Sequence, residues 1–278
     1  MSEPTADGEL EQIEIDLLFE GLNRRYGVDL RDYEQSSLRR HLHDCMRQER
    51  VETVSGFQEK ALHDAECLER LLLAVASADT TMFRDPGFYR AFREKVVPQL
   101  RTYPFVRVWL AGCSTGEEVW SLAILLEEEG LYPRCRIYAT DLSREVVRKA
   151  RDGVFPLTSV RDYTSNYLRS GGTRYLSDYF TTHEGRVIFN PALRRNVVFS
   201  EHNLVTDGSF NEFQVVFCRN VMSHFNQPLQ ERVHELIYES LNMFGVLGLG
   251  GRESLRLSPR EAFYEPLDNE HRLYRKVL

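Results

Sequence analysis

A short loop of small residues holds the positions best suited to ligand binding. It runs from Ala111 to Glu118 and has small residues at Gly112, Ser114 and Gly116. Small residues let the backbone turn tightly and bring its N–H groups against a ligand at the N-terminus of the next helix. A dinucleotide-binding loop has the pattern G-x-G-x-x-G, and this chain has Ser114 in place of the middle glycine.

Glu117 narrows the kind of ligand that this loop suits. It stands just beyond the last glycine, where a carboxylate repels phosphate but tolerates a cation or a sugar hydroxyl. The loop therefore favours a ligand without phosphates, such as S-adenosylmethionine, whose sulfonium is positively charged. A tight turn that binds no ligand is the alternative interpretation.

Asp141 is a second acidic candidate, because it follows the predicted strand Arg136–Ala139 and lies 25 residues after Gly116. In doubly wound sheets, an acidic residue at this point accepts hydrogen bonds from ribose hydroxyls. The alternative is a cap for the predicted helix Arg144–Ala150, a role for which Ser143 is also placed.

The composition is typical of a globular protein and excludes several classes. The 278 residues are 42% hydrophobic and 28% charged, and no apolar run suits a membrane helix. The net charge of −7 disfavours a nucleic-acid binder. The acidic N-terminus is unlike a secretory signal, and the five cysteines include no C-x-x-C pair. We therefore expect a cytoplasmic protein without disulfides or metal.

The elements that must position these residues begin with a helical segment. Residues 1–12 are expected to form a flexible tail, and residues 13–80 a helical domain. After a first helix that begins at Ile13, apolar spacing predicts helices over Leu38–Arg50, Thr53–Ala61 and Asp64–Ala76.

In residues 81–278, predicted strands alternate with predicted helices. The strands are Val106–Leu110, Arg136–Ala139, Asn196–Ser200, Phe213–Cys218, Val246–Leu249 and Arg272–Val277. The helices are Glu117–Glu129, Arg144–Ala150 and Pro228–Met243. Such alternation predicts a parallel sheet with helices on both faces.

A stretch at about residues 161–195 breaks the alternation and is interpreted as a β-rich insertion, because glycines and aromatic residues are frequent in it. The predicted fold class is therefore α/β. A small N-terminal helical domain precedes a doubly wound, Rossmann-like sheet that carries this insertion.

Five short motifs occur in order along the chain. They are Thr80–Asp85, Trp109–Glu118, Ala139–Ser143, His202–Leu204 and Phe217–Val221. In this order and spacing they resemble the CheR-type chemotaxis receptor methyltransferases, a family of protein-glutamate O-methyltransferases. The resemblance extends from about Ile13 to the C-terminus and includes the helical domain.

The resemblance implies an enzyme of chemotaxis-type signal transduction. It would transfer the methyl group of S-adenosyl-L-methionine to glutamate side-chain carboxylates of chemoreceptors, and S-adenosyl-L-homocysteine would be the other product. The implied partners are cytoplasmic helices of chemoreceptors or receptor-like signalling proteins. Neither nucleic-acid binding nor direct membrane insertion is expected.

The resemblance also assigns cofactor contacts beyond the loop residues Gly112, Ser114 and Gly116. These implied contacts are Thr80, Arg84, Glu117, Asp141, Asn203, Leu204, Arg219 and Asn220. Arg84 would pair with the methionyl carboxylate, Asp141 with the ribose, and Asn203 and Leu204 with the adenine. Arg219 and Asn220 would lie near the reacting end.

Arg84, Arg219 and His224 are the catalytic candidates. A free glutamate has a pKa of about 4.3 and is already ionised at neutral pH, so the enzyme mainly aligns the reacting groups. The two arginines could hold the acceptor carboxylate, and His224 stands where the family has a tyrosine. The chain also differs from the family pattern at three further positions, namely Ala78, Thr182 and Gln214.

A basic helix in the N-terminal domain is a candidate surface for the acceptor protein. Arg39, Arg40, Arg47 and Arg50, with His41 and His43, fall largely on one side of the predicted helix. Such a face could steer an acidic receptor helix by charge complementarity. An ordinary solvated face is the equally open alternative.

Two other functions remain open from the sequence. A regulatory or scaffold protein could bind the cofactor without turnover, and the changes at Thr182 and His224 motivate that alternative. A methyltransferase for a different acceptor would share the cofactor chemistry.

Overall fold

The periodic apolar residues become helices and strands in a computed structural model, which describes residues 6–31, 33, 35–76, 80–256 and 258–278. The side chains of residues 6, 7, 37, 76 and 224 lie outside this description. The chain forms two compact units. One comprises the residues up to Val75 with His224–Leu229, and the other comprises Ala76–Ser223 with Gln230–Leu278.

Among the residues described up to Ala76, four helices precede the sheet, as the apolar spacing predicts. They are α1 (Ala6–Tyr26), α2 (Gln35–Glu49), α3 (Val54–His63) and α4 (Ala65–Ala76). Helical spacing buries Ile15, Leu18 and Leu22 of α1. The hydroxyl of Thr53 caps α3 by accepting a hydrogen bond from the Gly56 N–H at 3.1 Å.

Two expectations about this unit are wrong. The helix α1 begins at Ala6, well inside the tail expected over residues 1–12. Acidic residues such as Glu9 and Glu11 favour the N-terminal part of a helix, because they complement its dipole. His41 is buried and therefore belongs to the inner side of α2, not to the exposed basic side.

Ten strands follow in the described part of the second unit. They are β1 (Val106–Ala111), β2 (Cys135–Asp141), β3 (Val154–Pro156), β4 (Phe180–His183), β5 (Arg186–Phe189), β6 (Val197–Glu201), β7 (Phe213–Cys218), β8 (Leu241–Leu249), β9 (Tyr264–Asp268) and β10 (Leu273–Lys276).

The main sheet has seven strands in the order β6-β2-β1-β7-β8-β10-β9. The first five strands of that order are parallel to one another. The strand β10 pairs antiparallel with β8, and β9 pairs antiparallel with β10. Every residue of β7 is buried, as expected for a central strand covered on both faces. The α/β prediction with a doubly wound, Rossmann-like sheet is confirmed.

Within residues 80–256 and 258–278, six helices accompany the strands. They are α5 (Pro86–Ala91), α6 (Val97–Leu100), α7 (Glu117–Glu128), α8 (Arg144–Asp152), α9 (Val160–Arg169) and α10 (Gln227–Ser240), with a π-helical segment over Phe92–Val96 between the first two. The helices α7 and α8 both contact β2. Because β1 ends at Ala111 and α7 begins at Glu117, only a short loop separates this strand from the start of the helix.

The insertion is only partly β-structured. Its first part is the helix α9, in which Tyr163 and Tyr167 are buried one helical turn apart. The strands β3, β4 and β5 form a separate antiparallel sheet in the order β3-β5-β4. The prediction is therefore wrong for the helical part, because the residues that suggested β-structure, such as Tyr175, Tyr179 and Phe180, all lie beyond α9.

Two boundaries near the C-terminus also differ from the prediction. The helix α10 ends at Ser240, not at Met243, and β8 begins at once with Leu241. The buried Leu241 pairs with Phe213 of β7, so tertiary packing extends the strand. The strand β9 was not predicted, because Pro266 weakens its strand signal, although proline is tolerated at a sheet edge.

Candidate active site

Loops at the carboxyl edge of the sheet bring most of the predicted cofactor residues together. The loop after β1 contains Gly112, Asp141 ends β2, Asn203 follows β6, and Arg219 follows β7. Since β1 lies between β2 and β7, the chain reverses its order of strands at this point. Ligands of doubly wound sheets bind at such a switch point.

The loop after β1 is fixed to β2 by its own backbone. The N–H groups of Gly112 and Cys113 both donate to the carbonyl of Thr140, at 2.9 and 2.8 Å. Gly112 has a φ of +81° and Gly116 a φ of +100°, in the left-handed region that favours glycine. A Cβ at Gly116 would lie 2.7 Å from the Cα of Ala150, so glycine is required there by space as well.

Asp141 holds the middle of this loop. Its carboxylate is 9% exposed and accepts hydrogen bonds from the N–H groups of Ser114 at 2.8 Å and Leu142 at 2.9 Å. Burial raises the pKa of Asp141, and the backbone N–H donors oppose that rise. Ser143 caps α8 by accepting from the Val146 N–H at 3.2 Å, so the alternative role of Asp141 as the helix cap is wrong.

Glu117 is a buried carboxylate at the N-terminus of α7. It is 6% exposed, and the hydroxyls of Thr115 and Tyr163 donate to it at 2.7 and 3.4 Å, with Thr80 as a third hydroxyl partner. Burial raises the pKa of Glu117, against the lowering effect of these hydroxyls. Among the residues that the structure describes, no cationic side chain forms an ion pair with Glu117. The site therefore suits a ligand that brings a positive charge.

Tyr163 is a contact that the sequence did not reveal. It lies on α9, within the insertion, 46 positions beyond the carboxylate that it contacts. The only sequence signal available was its helical spacing from Tyr167, which indicates a helix but not what the helix packs against.

Arg219 is held in a buried network. Its guanidinium is 2% exposed, donates to Glu118, and donates to Asp85 at 2.9 Å and to the carbonyl of Arg84 at 3.1 Å. It also lies 3.9 Å above the ring of Phe88. Burial lowers the pKa of Arg219, but the interactions with Glu118, Tyr89 and Asp85 outweigh this effect, so the pKa of Arg219 is raised overall. These contacts give Arg219 the geometry of a positioning residue.

The segment Thr80–Asp85 is bent over the start of α7. Phe83 and Asp85, on either side of Arg84, have φ values of +50° and +56°. The Phe83 N–H donates to the hydroxyl of Ser121 on α7 at 2.9 Å. Arg84 itself is half-buried, and its carbonyl accepts from Arg219.

The loop after β6 is joined to Asp141. The His202 N–H donates to the Asp141 carbonyl at 3.0 Å, and Leu204 is buried. Asn203 shapes the turn, because its side-chain oxygen accepts from the Val205 N–H at 2.9 Å. The predicted ribose and adenine contacts are therefore neighbours.

Asn220 lies in the turn after β7, at the same carboxyl edge of the sheet. Its φ is +61°, and its N–H donates to the carboxylate of Glu253 at 2.9 Å. Glu253 follows β8 and was missed from the sequence. The signal that could have revealed it is the one used for Asp141, an acidic residue just after a parallel strand.

Other predicted residues lie elsewhere or outside the described part. Ala78 and the side chain of His224 are outside it. Thr182 is exposed on β4, while Gln214 is buried in β7 and accepts from the Arg107 N–H at 2.7 Å. Gln214 therefore satisfies a backbone donor between two strands.

The three arginines of the predicted basic face belong to the helical unit. Arg39 donates to Gln12 and Arg47 to Asp44, while Arg40 is exposed. His43 lies 2.9 Å from Glu11. The carboxylates of Asp44 and Glu11 therefore reduce the net positive charge of this face.

The site fits S-adenosylmethionine better than a phosphate-bearing ligand. Glu117, at the end of the loop after β1, can receive a ligand ammonium. Asp141, which ends β2 and accepts from the Ser114 N–H in the middle of that loop, can receive ribose hydroxyls. Phosphates would meet two negative charges in the same place. Among the described residues, no helix is long and apolar enough to cross a membrane.

Comparison with known proteins agrees with this chemistry. Residues 13–76 match the all-alpha domain of CheR methyltransferases, and residues 78–268 match their S-adenosylmethionine-binding domain. A Pseudomonas putida protein named as a candidate methyltransferase, Cher3, is 44% identical over 95% of this chain and 97% of its own length. The chemotaxis protein methyltransferase of Listeria monocytogenes is 26% identical over 89% of this chain and 92% of its own length. The chemotaxis protein methyltransferase of Salmonella typhimurium is 33% identical over 66% of this chain and 62% of its own length.

The two domain matches lie in the order of the two structural segments, helices first and sheet second. Together they account for most of the 278 residues. This chain therefore belongs to the CheR methyltransferase family and contains its S-adenosylmethionine-binding domain.

Proposed function

We propose that the protein methylates glutamate side-chain carboxylates of chemoreceptors or receptor-like signalling proteins in the cytoplasm. Membership of the family supports methyl transfer from S-adenosylmethionine. The names of the Listeria and Salmonella relatives support a role in chemotaxis. The observation that carries the proposal is the pair of buried carboxylates, Glu117 and Asp141, joined through one loop.

Different residues would bind the different polar and charged groups of the cofactor. Glu117 would receive the ammonium of the methionyl group, and Arg84 its carboxylate. Asp141 would accept hydrogen bonds from the ribose, while Asn203 and Leu204 would contact the adenine. When bound, S-adenosylmethionine supplies an electrophilic methyl group on a positively charged sulfur.

The acceptor glutamate needs orientation rather than activation. A carboxyl group with a pKa of about 4.3 is ionised at neutral pH, so the site has no proton to remove. Arg219 contributes by fixing Asp85 and the start of α7, because Glu118 and Asp85 already engage its guanidinium. Arg84 and His224 remain the candidates for contact with the acceptor.

Recognition of the acceptor protein is assigned to Arg39, Arg40 and Arg47 on α2. Acidic helices are the matching partner for a surface that exposes arginines. Of the three, Arg40 is exposed, whereas Arg39 is half-buried and donates to Gln12, and Arg47 pairs with Asp44.

Methyl transfer from radiolabelled S-adenosylmethionine to the receptor fraction of the source organism tests this function. We expect label on receptor protein and its release as methanol in mild base, the behaviour of a carboxyl methyl ester. Base-stable label would contradict the glutamate acceptor and indicate another one. Binding of S-adenosylhomocysteine without any transfer would contradict the enzyme and favour a regulatory or scaffold protein.

A further inference from the structure

We infer that Glu253 is a positioning residue that fixes the turn after β7 against the loop after β1. The inference rests on the proposed function, since both segments belong to the proposed cofactor site. Glu253 lies in the loop after β8 and has been assigned no role so far. It is 5% exposed, which is a costly place for a carboxylate unless its oxygens are satisfied.

Backbone N–H groups from two loops satisfy those oxygens. Oε2 accepts from the Asn220 N–H at 2.9 Å and from the Gly250 N–H at 2.6 Å, and Oε1 accepts from the Ser223 N–H at 3.3 Å. The Glu253 N–H donates in turn to the Gly250 carbonyl at 2.9 Å. One side chain thus joins the loop after β8 to both ends of the turn after β7.

The backbone of the turn leaves little room around the carboxylate. Asn220 has a φ of +61°, a left-handed conformation that asparagine adopts more readily than most other residues with a side chain. The close approach of the two loops also requires Gly250, where a Cβ would lie 2.7 Å from the Asn220 nitrogen. The carboxylate therefore fixes a left-handed turn in a space that admits no further side chain.

Val221 connects this turn to the cofactor loop. A Cβ built on Gly112 would lie 2.4 Å from Cγ2 of Val221, so the valine covers the glycine directly. Arg219, one residue before Asn220, anchors Asp85 and Glu118. Release of the turn by loss of Glu253 would therefore loosen both the cover of Gly112 and the arginine anchor.

The chemistry of the contact indicates which variants separate positioning from bulk stability. Glutamine at position 253 keeps one oxygen for Asn220 and Gly250 but turns an N–H₂ group toward the Ser223 N–H. Glu253→Met removes both acceptor oxygens, and with them all three hydrogen bonds, at a similar side-chain length. The matched control is Glu128→Gln, because Glu128 is a buried carboxylate that accepts from Tyr167, Tyr179 and Arg93 at the far end of α7.

Hydrogen exchange, thermal unfolding and calorimetry with S-adenosylhomocysteine on the full chain test the inference. We expect the amides of Asn220 and Ser223 to exchange at least about tenfold faster in Glu253→Met, with Glu253→Gln in between. The affinity for S-adenosylhomocysteine should fall by about tenfold in Glu253→Met and by less in Glu253→Gln. Glu128→Gln should lower the melting temperature yet keep the affinity within about twofold.

Two results would overturn the inference. One is unchanged exchange at Asn220 and Ser223 in both Glu253 variants. The other is a loss of affinity in Glu128→Gln that matches the Glu253 variants at equal loss of melting temperature. If the wild type itself binds no S-adenosylhomocysteine, the proposed function fails, while the exchange experiment still decides the role of Glu253.

Discussion

Glu117 and Asp141 are both buried carboxylates, yet their partners differ in kind. Asp141 accepts backbone N–H groups and shapes the loop, whereas Glu117 accepts side-chain hydroxyls and forms no ion pair among the described residues. Sequence spacing was sufficient to select both residues. It could not reveal the Arg219 network, because Glu118 and Asp85 lie 101 and 134 positions away and only the fold brings them together.

The affinity for S-adenosylhomocysteine is expected to depend on pH through Glu117. Burial raises the pKa of Glu117 above its usual value of 4.5, and only the ionised form attracts a ligand ammonium. Affinity should therefore fall as pH is lowered through the raised pKa. Glu117→Gln should weaken binding roughly tenfold or more at neutral pH and flatten this dependence. Calorimetry between about pH 5 and pH 8 measures both effects, and parallel profiles for the two proteins would contradict the role of Glu117.

The same residue makes an opposite prediction for stability. Because the folded-state pKa of Glu117 is raised, its contribution to stability is complete below the unfolded value and declines as pH rises through the folded value. The ligand-free Glu117→Gln protein should gain stability relative to wild type as pH increases from about 4.5 to neutrality. Urea unfolding at several pH values gives the comparison.

His224 carries a prediction that rests on its sequence position. A histidine has a pKa of about 6.5, and the tyrosine of the family about 10. If the ring contacts the acceptor carboxylate, turnover should change across about pH 6 to 7.5 and His224→Tyr should flatten that change. Rate profiles at saturating cofactor measure it. Superimposable profiles would make His224 a packing residue only.

At the scale of elements, periodicity and turn residues predicted most of the architecture. The strand Phe213–Cys218 has the predicted bounds, and the helices α3, α4 and α7 begin or end within two residues of theirs. Two of the errors have different causes. Leu241 joins a buried strand immediately after α10, because tertiary packing overrides the local pattern there. The tyrosines of α9 do have helical spacing, but the glycines and aromatic residues that follow them suggested β-structure for the whole insertion.

The tight turn before α7 can be tested with a pair of glycines. Gly116→Ala would place a methyl group 2.7 Å from the Ala150 backbone at a φ of +100°, so we expect a loss of about 2–4 kcal/mol in stability and of cofactor binding. Gly130 after α7 also has a positive φ, +67°, but nothing lies within 4 Å of an added Cβ. Gly130→Ala should cost only about 1 kcal/mol and leave binding intact. Equal losses in the two variants, measured by denaturant unfolding and calorimetry, would contradict the packing argument.

At the scale of the whole molecule, charge is distributed unevenly. The chain has a net charge of −7, but α2 presents Arg39, Arg40 and Arg47. Arg40 and Arg47 are exposed and Arg39 is half-buried, whereas His41 is buried by packing that the spacing of residues does not reveal. Whether the face serves an acceptor is a property of the protein complex, which residue spacing alone does not determine.

Charge reversal tests that face. Replacing Arg39, Arg40 and Arg47 by glutamate should raise the KM for the protein acceptor and leave S-adenosylhomocysteine affinity unchanged. The wild-type reaction should also slow as salt rises, because exposed charges are screened over about 10 Å at 0.1 M salt. Equal turnover by the reversed variant would leave these arginines as an ordinary solvated surface.

Calorimetric titration of the wild-type protein with S-adenosylhomocysteine and, separately, with NAD tests the central claim most directly. The two buried carboxylates predict micromolar binding of S-adenosylhomocysteine and no binding of the phosphate-bearing NAD. Asp141→Ala should weaken the first by about 1.5–3 kcal/mol, or roughly 10- to 160-fold, through lost hydrogen bonds to a charged group. Binding of NAD with none of S-adenosylhomocysteine would contradict the site described here.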